Sequence, residues 1–407
     1  MARALRVVLA TETFHPEVGG GESQARLLAD TLTRRGHQVT VVTRRSRKGL
    51  PRHRTEGGVP VVRIPPAGPG RWKKWGLAFT ALAPLWRLGG GADAVLVSGF
   101  RFLGVPAVLA RAPRKGICVL KADSPGELSG EYFRAGLARF GLAPRSPGVR
   151  LGIAARNALL RRADGFVAIS GEIAEELADH GVPPGRVRRI PNGVDTRRFR
   201  PAGEGERERV RERLGLPPGP MAVYTGRLVS YKGLPLLLEV WRELHRGVPE
   251  AVLVLVGAGG TDIHACEAEL RGYVRANGLD GSVRFAGEVQ AVEEYLRAAD
   301  AFVFPTEQEA FGISLVEAMA CGLPCAATPV GGIRDFLEHG RNGLAVEPRD
   351  GPRLRDALET LLRGGDGVAA LGRAARETVL ARFSENAVAD AYLALFEALG
   401  RPGGGEP

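Results

Sequence analysis

The 407-residue chain contains few cysteines and no long apolar run. Four cysteines are too few for a disulfide scaffold of this length, and Cys321 and Cys325 lack the histidine cluster that would accompany them in a zinc site. The longest apolar stretch, 75–86, contains Pro84 and falls short of the roughly 18–20 residues of a membrane span. The apolar start is interrupted at Thr11-Glu12, too early for a signal peptide. These absences predict a cytoplasmic protein, either soluble or peripheral on the inner membrane leaflet.

Several ligand-binding motifs are also absent. The chain has no G-x-G-x-x-G fingerprint with a downstream acidic residue for the ribose, which excludes the standard dinucleotide site. It has no G-x-x-x-x-G-K-[ST], which excludes a P-loop. No D-x-D motif occurs, so we expect no catalytic metal. No other cofactor is expected.

Acidic residues are scarce in one half of the chain only. Residues 1–200 contain 34 Lys and Arg against 15 Asp and Glu, whereas residues 201–407 contain 22 against 30. Coding bias would explain why only six of the 56 basic residues are lysine, but it would not explain this asymmetry. The basic half therefore indicates an anionic partner: a nucleic acid, a membrane surface or an acidic substrate.

Apolar strands alternate with helical stretches through both halves of the chain, which predicts parallel, doubly wound sheets. The predicted strands are 5–10, 37–43, 59–64, 94–98, 116–120, 165–169, 187–190, 221–225, 251–256, 283–286, 301–305, 324–328 and 343–346. The pattern breaks between 190 and 220, where turn-forming Pro191-Asn192-Gly193 and a charged run occur. We predict an α/β protein of two tandem Rossmann-like domains, 1–200 and 201–383, facing a cleft that is the natural ligand site. A long helix, 384–400, and a disordered tail, 401–407, follow.

Two loops have residues suited to phosphate. Gly19-Gly20-Gly21 follows the first strand and opens a helix, where bare amide groups attract anions. The alternative is a flexible turn. On the loop leaving strand 221–225, Arg227 and Lys232 are able to neutralise a diphosphate, Arg as a fork and Lys as a point charge. The alternative here is two solvated surface cations.

A pair of carboxylates forms the densest constellation. Glu309 precedes a helix in a loop, and Glu317, eight residues later, falls in the first turn of that helix. A carboxylate in a cleft accepts two hydrogen bonds from vicinal hydroxyls of a ribose or a hexose. The alternative is a capping box, in which Glu317 with Ser314 satisfies the start of the helix.

Taken together, the motifs resemble one family. They are F-H-P-E-V-G-G at 14–20, R-G-H-Q-V-T-V-V-T at 35–43, I-P-N-G-V-D at 190–195, G-R with K-G at 226–233, and the E-x7-E segment at 309–317. In this order and spacing, across essentially the whole chain, they resemble the retaining glycosyltransferases of family 4, which have the two-domain GT-B fold.

The resemblance implies a role for each matched residue on the donor side. Arg227 and Lys232 would hold the diphosphate of a nucleotide-sugar, Glu317 the ribose, and Glu309 the transferred sugar. Backbone amides near Phe311 and Gly312 would contact sugar and phosphate, Gly19 and Gly20 would approach the diphosphate from the other domain, and the base would lie near Phe285–Val289. The last helix would cross back onto the first domain, whose task is to bind the acceptor.

The acceptor side departs from the family. Many members have a histidine at the end of the strand predicted at 116–120, whereas residues 118–127 contain none, and Asp123 or Lys121 would take its place. We assign Asp123 as the candidate catalytic group. Retention does not require a base here, because in a front-face mechanism the leaving diphosphate takes the acceptor's proton while the enzyme positions groups and stabilises charge.

The segment Arg71-Trp72-Lys73-Lys74-Trp75 precedes the apolar stretch 76–86, a composition typical of an interfacial membrane segment. The alternative is a helix whose tryptophans pack on the core. We expect the first domain to dock on an anionic membrane and glycosylate a lipid or lipid-linked acceptor. Two alternatives stay open: a soluble relative such as a phosphorylase or compatible-solute synthase, and a nucleic-acid-binding protein. The second explains only the charge and lacks RNA-binding or helix-turn-helix signatures, so no nucleic-acid partner is expected.

Overall fold

The computed structural model describes residues 3–17, 19–111, 116–131, 143, 146–260 and 262–400. Contacts divide the chain into two compact units: residues 1–193 together with 385–407, and residues 194–384. The division falls at 193/194, where the sequence predicted 200/201. The predicted disordered tail, 401–407, lies outside the described residues, as does Val18 of the F-H-P-E-V-G-G motif.

The first unit contains an eight-stranded sheet. Its strands are β1 (Arg6–Thr11), β2 (Gln38–Arg44), β3 (His53–Glu56), β4 (Val59–Ile64), β5 (Ala94–Ser98), β6 (Ile117–Ala122), β7 (Gly165–Ala168) and β8 (Val187–Arg189). Their order is β3-β4-β2-β1-β5-β6-β7-β8, and every neighbouring pair is parallel except β3 with β4. The sequence did not predict β3, because this edge strand is polar and mostly exposed and so lacks the apolar signal of its neighbours.

Helices cover this sheet. They are α1 (Gly20–Arg34), α2 (Leu77–Thr80), α3 (Leu82–Gly89), α4 (Phe100–Arg111), α5 (Pro147–Leu160) and α6 (Gly171–Asp179). The C-terminal helix, Glu385–Gly400, belongs to the same unit and packs on α1. Its buried Tyr392 and Phe396 join the core formed by α1 and the strands, and Arg35 binds Asp390 at 2.5 Å.

The second unit contains a six-stranded sheet that is parallel throughout. Its strands are β9 (Met221–Thr225), β10 (Val252–Val256), β11 (Val283–Gly287), β12 (Ala301–Phe304), β13 (Cys325–Ala327) and β14 (Leu344–Ala345), in the order β11-β10-β9-β12-β13-β14. Continuous apolar runs such as V-L-V-L-V in β10 form these strands because helices bury both faces of the sheet.

The helices of the second unit are α7 (Glu206–Leu214), α8 (Leu234–Gly247), α9 (Glu267–Ala276), α10 (Val292–Ala298), α11 (Ile313–Ala320), α12 (Gly351–Arg363) and α13 (Asp366–Arg382). Residues 262–266 form an irregular loop before α9, and a short 3-10 helix, Gly331–Asp335, lies after β13. The charged α7 is not fully solvated, since Arg211 is buried against Asp300, with Nη2 2.7 Å from Oδ2.

The strand orders determine where loops gather. In the first unit β1 lies between β2 and β5, and in the second unit β9 lies between β10 and β12. In each sheet the chain first adds strands on one side of this central strand and then on the other, so the strand order reverses at β1 and at β9. Ligands of open α/β sheets bind in the crevice at the carboxyl ends of strands beside such a reversal. The loop after β1 contains Gly19 and Gly20, and the loop after β9 contains Arg227 and Lys232. No described helix is long and apolar enough to span a bilayer.

Candidate active site

The loop after β9 is held rigidly at its main chain. The hydroxyl of buried Tyr224 donates to the Arg227 carbonyl at 2.9 Å, and the Leu228 N–H donates to the Ala258 carbonyl at 3.1 Å. The loop ends in a short 3-10 helix, Ser230–Lys232. Gly233 follows with φ 71°, and a Cβ there would overlap the Pro305 carbonyl, so only glycine fits where this loop crosses the end of β12.

Arg227 projects from this loop into solvent, with 60% of its side chain exposed. Nη1 lies 2.5 Å from Oδ2 of Asp262, and Nη2 donates to the Tyr231 hydroxyl at 2.6 Å. Asp262 lies in the loop after β10, and its Oδ1 accepts the His264 N–H at 3.0 Å. The sequence prediction missed both partners of Arg227: Asp262 comes close because β9 and β10 are adjacent, whereas Tyr231 lies on the same loop as Arg227.

Lys232 and Glu309 form an ion pair in a more enclosed setting. Lys232 Nζ lies 2.6 Å from Glu309 Oε2 and 3.3 Å from the Gln308 carbonyl. Glu309 Oε1 accepts the backbone N–H groups of Ala310 at 3.1 Å and Phe311 at 3.4 Å. The structure therefore brings together two of the predicted donor-site residues from the carboxyl ends of β9 and β12.

Phe311 and Gly312 lie directly beyond Glu309. The Phe311 side chain is buried against Phe336 and Phe383, with ring centroids 5.8 and 5.7 Å away. Its backbone N–H, in contrast, points to the Glu309 carboxylate. Gly312 is the N-cap of α11 with φ 100°, and a Cβ there would lie 2.9 Å from Ile333 Cγ1. These contacts fix the path of the chain from Glu309 into α11.

Glu317 lies in the second turn of α11, where the sequence placed it in the first. The helix begins at Ile313 with Gly312 as its cap and no side-chain capping bond, so the capping-box alternative is wrong. Within the described chain, the Glu317 carboxylate has no hydrogen bond or ion pair. Burial raises the pKa of Glu317 to about 7, with Arg198 lowering it and Glu293 raising it further. The carboxylate is thus available to a ligand hydroxyl.

The segment predicted beside the base, Phe285–Val289, begins in edge strand β11. The guanidinium of Arg271 lies over the Phe285 ring, with Cζ 4.2 Å from the centroid, and Glu267 holds Arg271 through its Nε at 3.0 Å. The placement of a nucleotide base beside this segment stays a prediction.

In the first unit, Gly19 is the N-cap of α1 and Gly20 its first residue. The Glu22 carboxylate folds back over this end of the helix, where it accepts the Thr13 hydroxyl, and a Cβ on Gly19 would lie 2.5 Å from Glu22 Oε2. Because this contact is with the end of a flexible side chain, it does not by itself require glycine at position 19, and the diphosphate contact stays a prediction.

Asp123 follows β6 and lies in a polar network at the carboxyl ends of β5 and β6. Its Oδ2 accepts the Ser98 hydroxyl at 2.7 Å, and its Oδ1 binds buried Lys121, whose Nζ also donates to Asn192 Oδ1 at 3.0 Å. Glu127, which no sequence motif indicated, accepts the backbone N–H of Asp123 at 3.0 Å. Lys121 and Asp123, proposed as alternatives for one position, therefore work as a pair.

Glu127 is fully buried and links two neighbouring strand ends. Its second oxygen accepts the Phe100 N–H at 2.8 Å, so one carboxylate joins the loop after β5 to the loop after β6. Burial raises the pKa of Glu127 to about 7, with the charge of Arg101 lowering it and that of Asp123 raising it.

The segment predicted to contact a membrane divides into two parts. Trp75 packs 5.5 Å from the Phe102 ring, as in the core alternative, and Lys74 pairs with Glu12. In α2 and α3, however, Phe79, Leu82 and Trp86 are exposed by 83%, 40% and 48%. The side chains of Arg71 and Trp72 lie outside the described residues. We call Phe79, Leu82 and Trp86 the apolar patch.

Across the residues with a described position, no group of three or more His, Cys, Asp or Glu side chains is arranged to hold a metal ion. The expectation of metal independence stays a prediction.

Two family models match the chain. Residues 18–198 match the model described as "Glycosyltransferase Family 4", and residues 219–364 match that described as "Glycosyl transferases group 1". The boundary between the matches falls near the division between the two structural units.

The chain is also similar to named proteins along most of its length. It is 30% identical over 397 residues to a protein named D-inositol 3-phosphate glycosyltransferase 1 from Catenulispora acidiphila, an alignment that covers 94% of this chain and 90% of that protein. It is 30% identical over 337 residues to a GDP-mannose-dependent alpha-(1-6)-phosphatidylinositol monomannoside mannosyltransferase from Mycobacterium tuberculosis, covering 75% of this chain and 86% of that protein.

Solved structures show the same fold. Anabaena HepE, crystallised with UDP and glucose, superposes with a TM-score of 0.74 over 97% of this chain and 99% of its own, at 18% identity. At 18% identity, this similarity supports the fold only.

Proposed function

The chain belongs to the family 4 glycosyltransferases of the GT-B fold, and from this premise we propose that it transfers a hexose from a nucleoside-diphosphate sugar to an acceptor hydroxyl with retention of configuration. The observation that supports this most is the cluster of Arg227, Lys232 and Glu309 in the second unit, beside the chain reversal at β9. Two cations and an anchored carboxylate in one loop cluster suit a sugar attached to a diphosphate.

The donor side supplies charge stabilisation. As the bond between the sugar C1 and the diphosphate breaks, negative charge grows on the leaving oxygen, and preorganised cations are worth most where charge develops. Lys232 is fixed by Glu309 and by the Gln308 carbonyl, so it needs little reorganisation. Glu309 contacts the sugar and Glu317 the ribose in this proposal.

The two cations take the role that a metal ion has in other transferases, so we propose metal-independent transfer.

On the acceptor side, Asp123 orients the attacking hydroxyl. Its position is determined by Ser98, Lys121 and Glu127, which together fix the loop after β6. A new bond forms between the acceptor oxygen and C1 on the face that the diphosphate leaves, and the hydroxyl proton passes to a leaving diphosphate oxygen. The chain's contribution is orientation and charge stabilisation, which accounts for the missing histidine.

We propose that the acceptor bears a phosphate. The first 200 residues have 34 Lys and Arg against 15 Asp and Glu, an excess that attracts an anion. The names of both relatives contain a compound with a phosphate group, D-inositol 3-phosphate in one and phosphatidylinositol monomannoside in the other. The base and the sugar of the donor are a separate question, which screening of nucleotide-sugars answers.

The apolar patch favours the lipid acceptor and peripheral attachment to an anionic membrane from the cytoplasmic side. Phe79, Leu82 and Trp86 lie within two consecutive short helices, with exposed Arg87 beside them. Exposed apolar side chains flanked by cations are typical of interfacial segments. The soluble sugar-phosphate acceptor is the second candidate, since the relative that aligns with 94% of this chain is named for one.

Four measurements test the proposal. Thermal-shift screening with UDP-, GDP- and ADP-sugars identifies the donor, because a ligand of the native state raises its stability. Product from that donor with inositol phosphate or with phosphatidylinositol vesicles identifies the acceptor, and NMR of the new linkage gives its configuration. Activity unchanged by chelator supports metal independence. If no donor is bound or consumed, or if Glu317→Ala binds the nucleotide as the native protein does, the proposal fails.

Flotation tests membrane attachment. The native protein should float with anionic vesicles more than with neutral ones, and the triple variant Phe79→Ser, Leu82→Ser, Trp86→Ser should lose this binding while retaining its donor thermal shift. The matched control Leu380→Ser changes another exposed leucine, in the second unit. Equal behaviour of native protein and triple variant would contradict the membrane proposal and favour the soluble acceptor.

A further inference from the structure

Each of the two cations assigned to the donor diphosphate already has a carboxylate partner. Lys232 pairs with Glu309 at 2.6 Å, and Arg227 pairs with Asp262 at 2.5 Å. The two pairs differ in the exposure of their cations: the Lys232 side chain is 11% exposed and that of Arg227 is 60% exposed, whereas Glu309 and Asp262 are alike at 18% and 21%. The first pair is therefore an enclosed part of the loop structure, and the second is open to exchange with an anion from solvent.

Lys232 is able to bind a phosphate without releasing its partner. An ammonium group has three donors, and two of them meet Glu309 and the Gln308 carbonyl. Arg227 differs in the exposure of its pair rather than in its donors, because the bonds of Nη1 to Asp262 and of Nη2 to Tyr231 use two of its five N–H groups. A diphosphate that approached this guanidinium while Asp262 stayed bound would stand beside a second anion, which repels it.

We propose that Asp262 sets the affinity for the donor by holding Arg227 when no donor is present and releasing it to the diphosphate. This inference rests on the proposed function, since it takes Arg227 as a diphosphate ligand. It assigns a role to the loop after β10 that neither the motifs nor the named relatives indicate.

The fixed and movable parts of the site fit such an exchange. The Arg227 main chain is tied by the Tyr224 hydroxyl at 2.9 Å, so the change involves side-chain torsions of Arg227 only. Asp262 is tied through Oδ1 to the His264 N–H at 3.0 Å, and its main chain accepts the Ala265 N–H at 3.1 Å. In this proposal the guanidinium turns from Asp262, which is held in place, to the donor diphosphate, and Tyr231, being neutral, does not compete for its charge.

The size of the effect follows from the exposure of the pair. A solvent-exposed ion pair is weak, so it reduces the fraction of Arg227 that is free to bind by only a small factor, and apparent affinity falls by that same factor. Removing the competing charge should therefore lower the Kd of a nucleoside diphosphate by about two- to fivefold. A nucleoside monophosphate should gain less, because it brings less charge to Arg227.

The experiment is calorimetric titration of the full chain with UDP, GDP or ADP, using whichever gives the largest thermal shift, and with the corresponding monophosphate. The variants are Asp262→Asn, which keeps an oxygen for the His264 N–H, Asp262→Ser as a second substitution, Arg227→Ala, and the double variant Arg227→Ala, Asp262→Asn. Glu338→Gln is the matched control, because it breaks an exposed pair with Arg341 at 2.5 Å in the same unit.

Tighter diphosphate binding by both Asp262 variants, with no gain in the Arg227→Ala background and none in Glu338→Gln, supports the inference. Unchanged or weaker binding by the Asp262 variants, while Arg227→Ala weakens binding, overturns it and leaves the donor site standing; Asp262 then only positions Arg227. If no nucleotide binds the native protein, or Arg227→Ala binds as tightly as native, the proposed donor site itself is wrong and the inference falls with it.

Discussion

Replacing Lys232 tests whether its ion pair with Glu309 serves structure, catalysis or both. Lys232→Met keeps most of the apolar stem and removes the charge. It leaves the Glu309 carboxylate, 18% exposed, with two backbone N–H groups but no cation. The double variant Lys232→Met, Glu309→Gln removes both charges and keeps an amide oxygen for those N–H groups.

The expected cost differs between the two variants. Removing one partner of a fully buried pair costs about 3–5 kcal/mol, because the other charge is left uncompensated. We expect about 2–3 kcal/mol for Lys232→Met, since Glu309 retains some solvent contact and its backbone hydrogen bonds. A domain of this size loses about 2–4 °C of Tm for each kcal/mol. The double variant should lie within about 1 kcal/mol of the native protein.

Catalysis should respond in another way. Losing one preorganised group at the developing charge costs about 10²–10³ in kcat. Both variants should show that loss, because neither restores a cation for the diphosphate. Thermal unfolding and initial rates of donor consumption measure the two effects separately. A double variant as unstable as the single one would refute the account of stability, and a loss of kcat below tenfold would refute the role of Lys232 at the leaving group.

Three further predictions follow from single sites. Because burial raises the pKa of Glu317 from 4.5 to about 7, the free energy of unfolding should decrease as pH rises from about 4.5 to 7. The KM for the donor should fall as pH rises through 7, where the carboxylate ionises. Glu317→Gln should flatten that KM profile, and an unchanged profile would contradict the ribose role. Gly312→Ala, at φ 100° and against Ile333, should cost about 1–3 kcal/mol of stability by thermal unfolding, which unaltered Tm would refute. Asp123→Asn should lower kcat with acceptor and leave the Kd of the donor unchanged in calorimetry; a parallel loss of donor binding would place Asp123 elsewhere in the mechanism.

The charge asymmetry of the sequence has a structural counterpart. The basic half coincides with the first unit, apart from the C-terminal helix, and the second unit binds its proposed anionic donor with two cations that are themselves paired with carboxylates. Net charge therefore does not locate the nucleotide. In our proposals, local pairing governs donor affinity, and the excess charge of the first unit acts at longer range on the acceptor or membrane.

The predicted strands were the part that sequence indicated well, and the structure brings Lys232 and Glu309 together while their donor role stays a prediction. Continuous apolar runs such as β10 leave little choice but a strand buried on both faces, and Arg227, Lys232 and Glu309 were recognisable from residue type and spacing. The polar edge strand β3 had no such signal. The register of α11 was misjudged because a Ser314-to-Glu317 capping box and a Gly312 cap are both plausible starts, and packing of the chain against Ile333 selects the second.

The sequence by itself determined the α/β class, the strands with continuous apolar runs and the charged groups that we propose for a sugar diphosphate, because these depend on local periodicity and side-chain chemistry. Only the tertiary structure decided the partners of those groups. Strand order places Asp262, from the loop after β10, against Arg227, and joins Lys121 to Asn192, 71 residues away. Contacts between distant segments decide which charged groups have a partner and which, like Glu317, have no ion pair among the described residues. No local sequence pattern encodes these contacts.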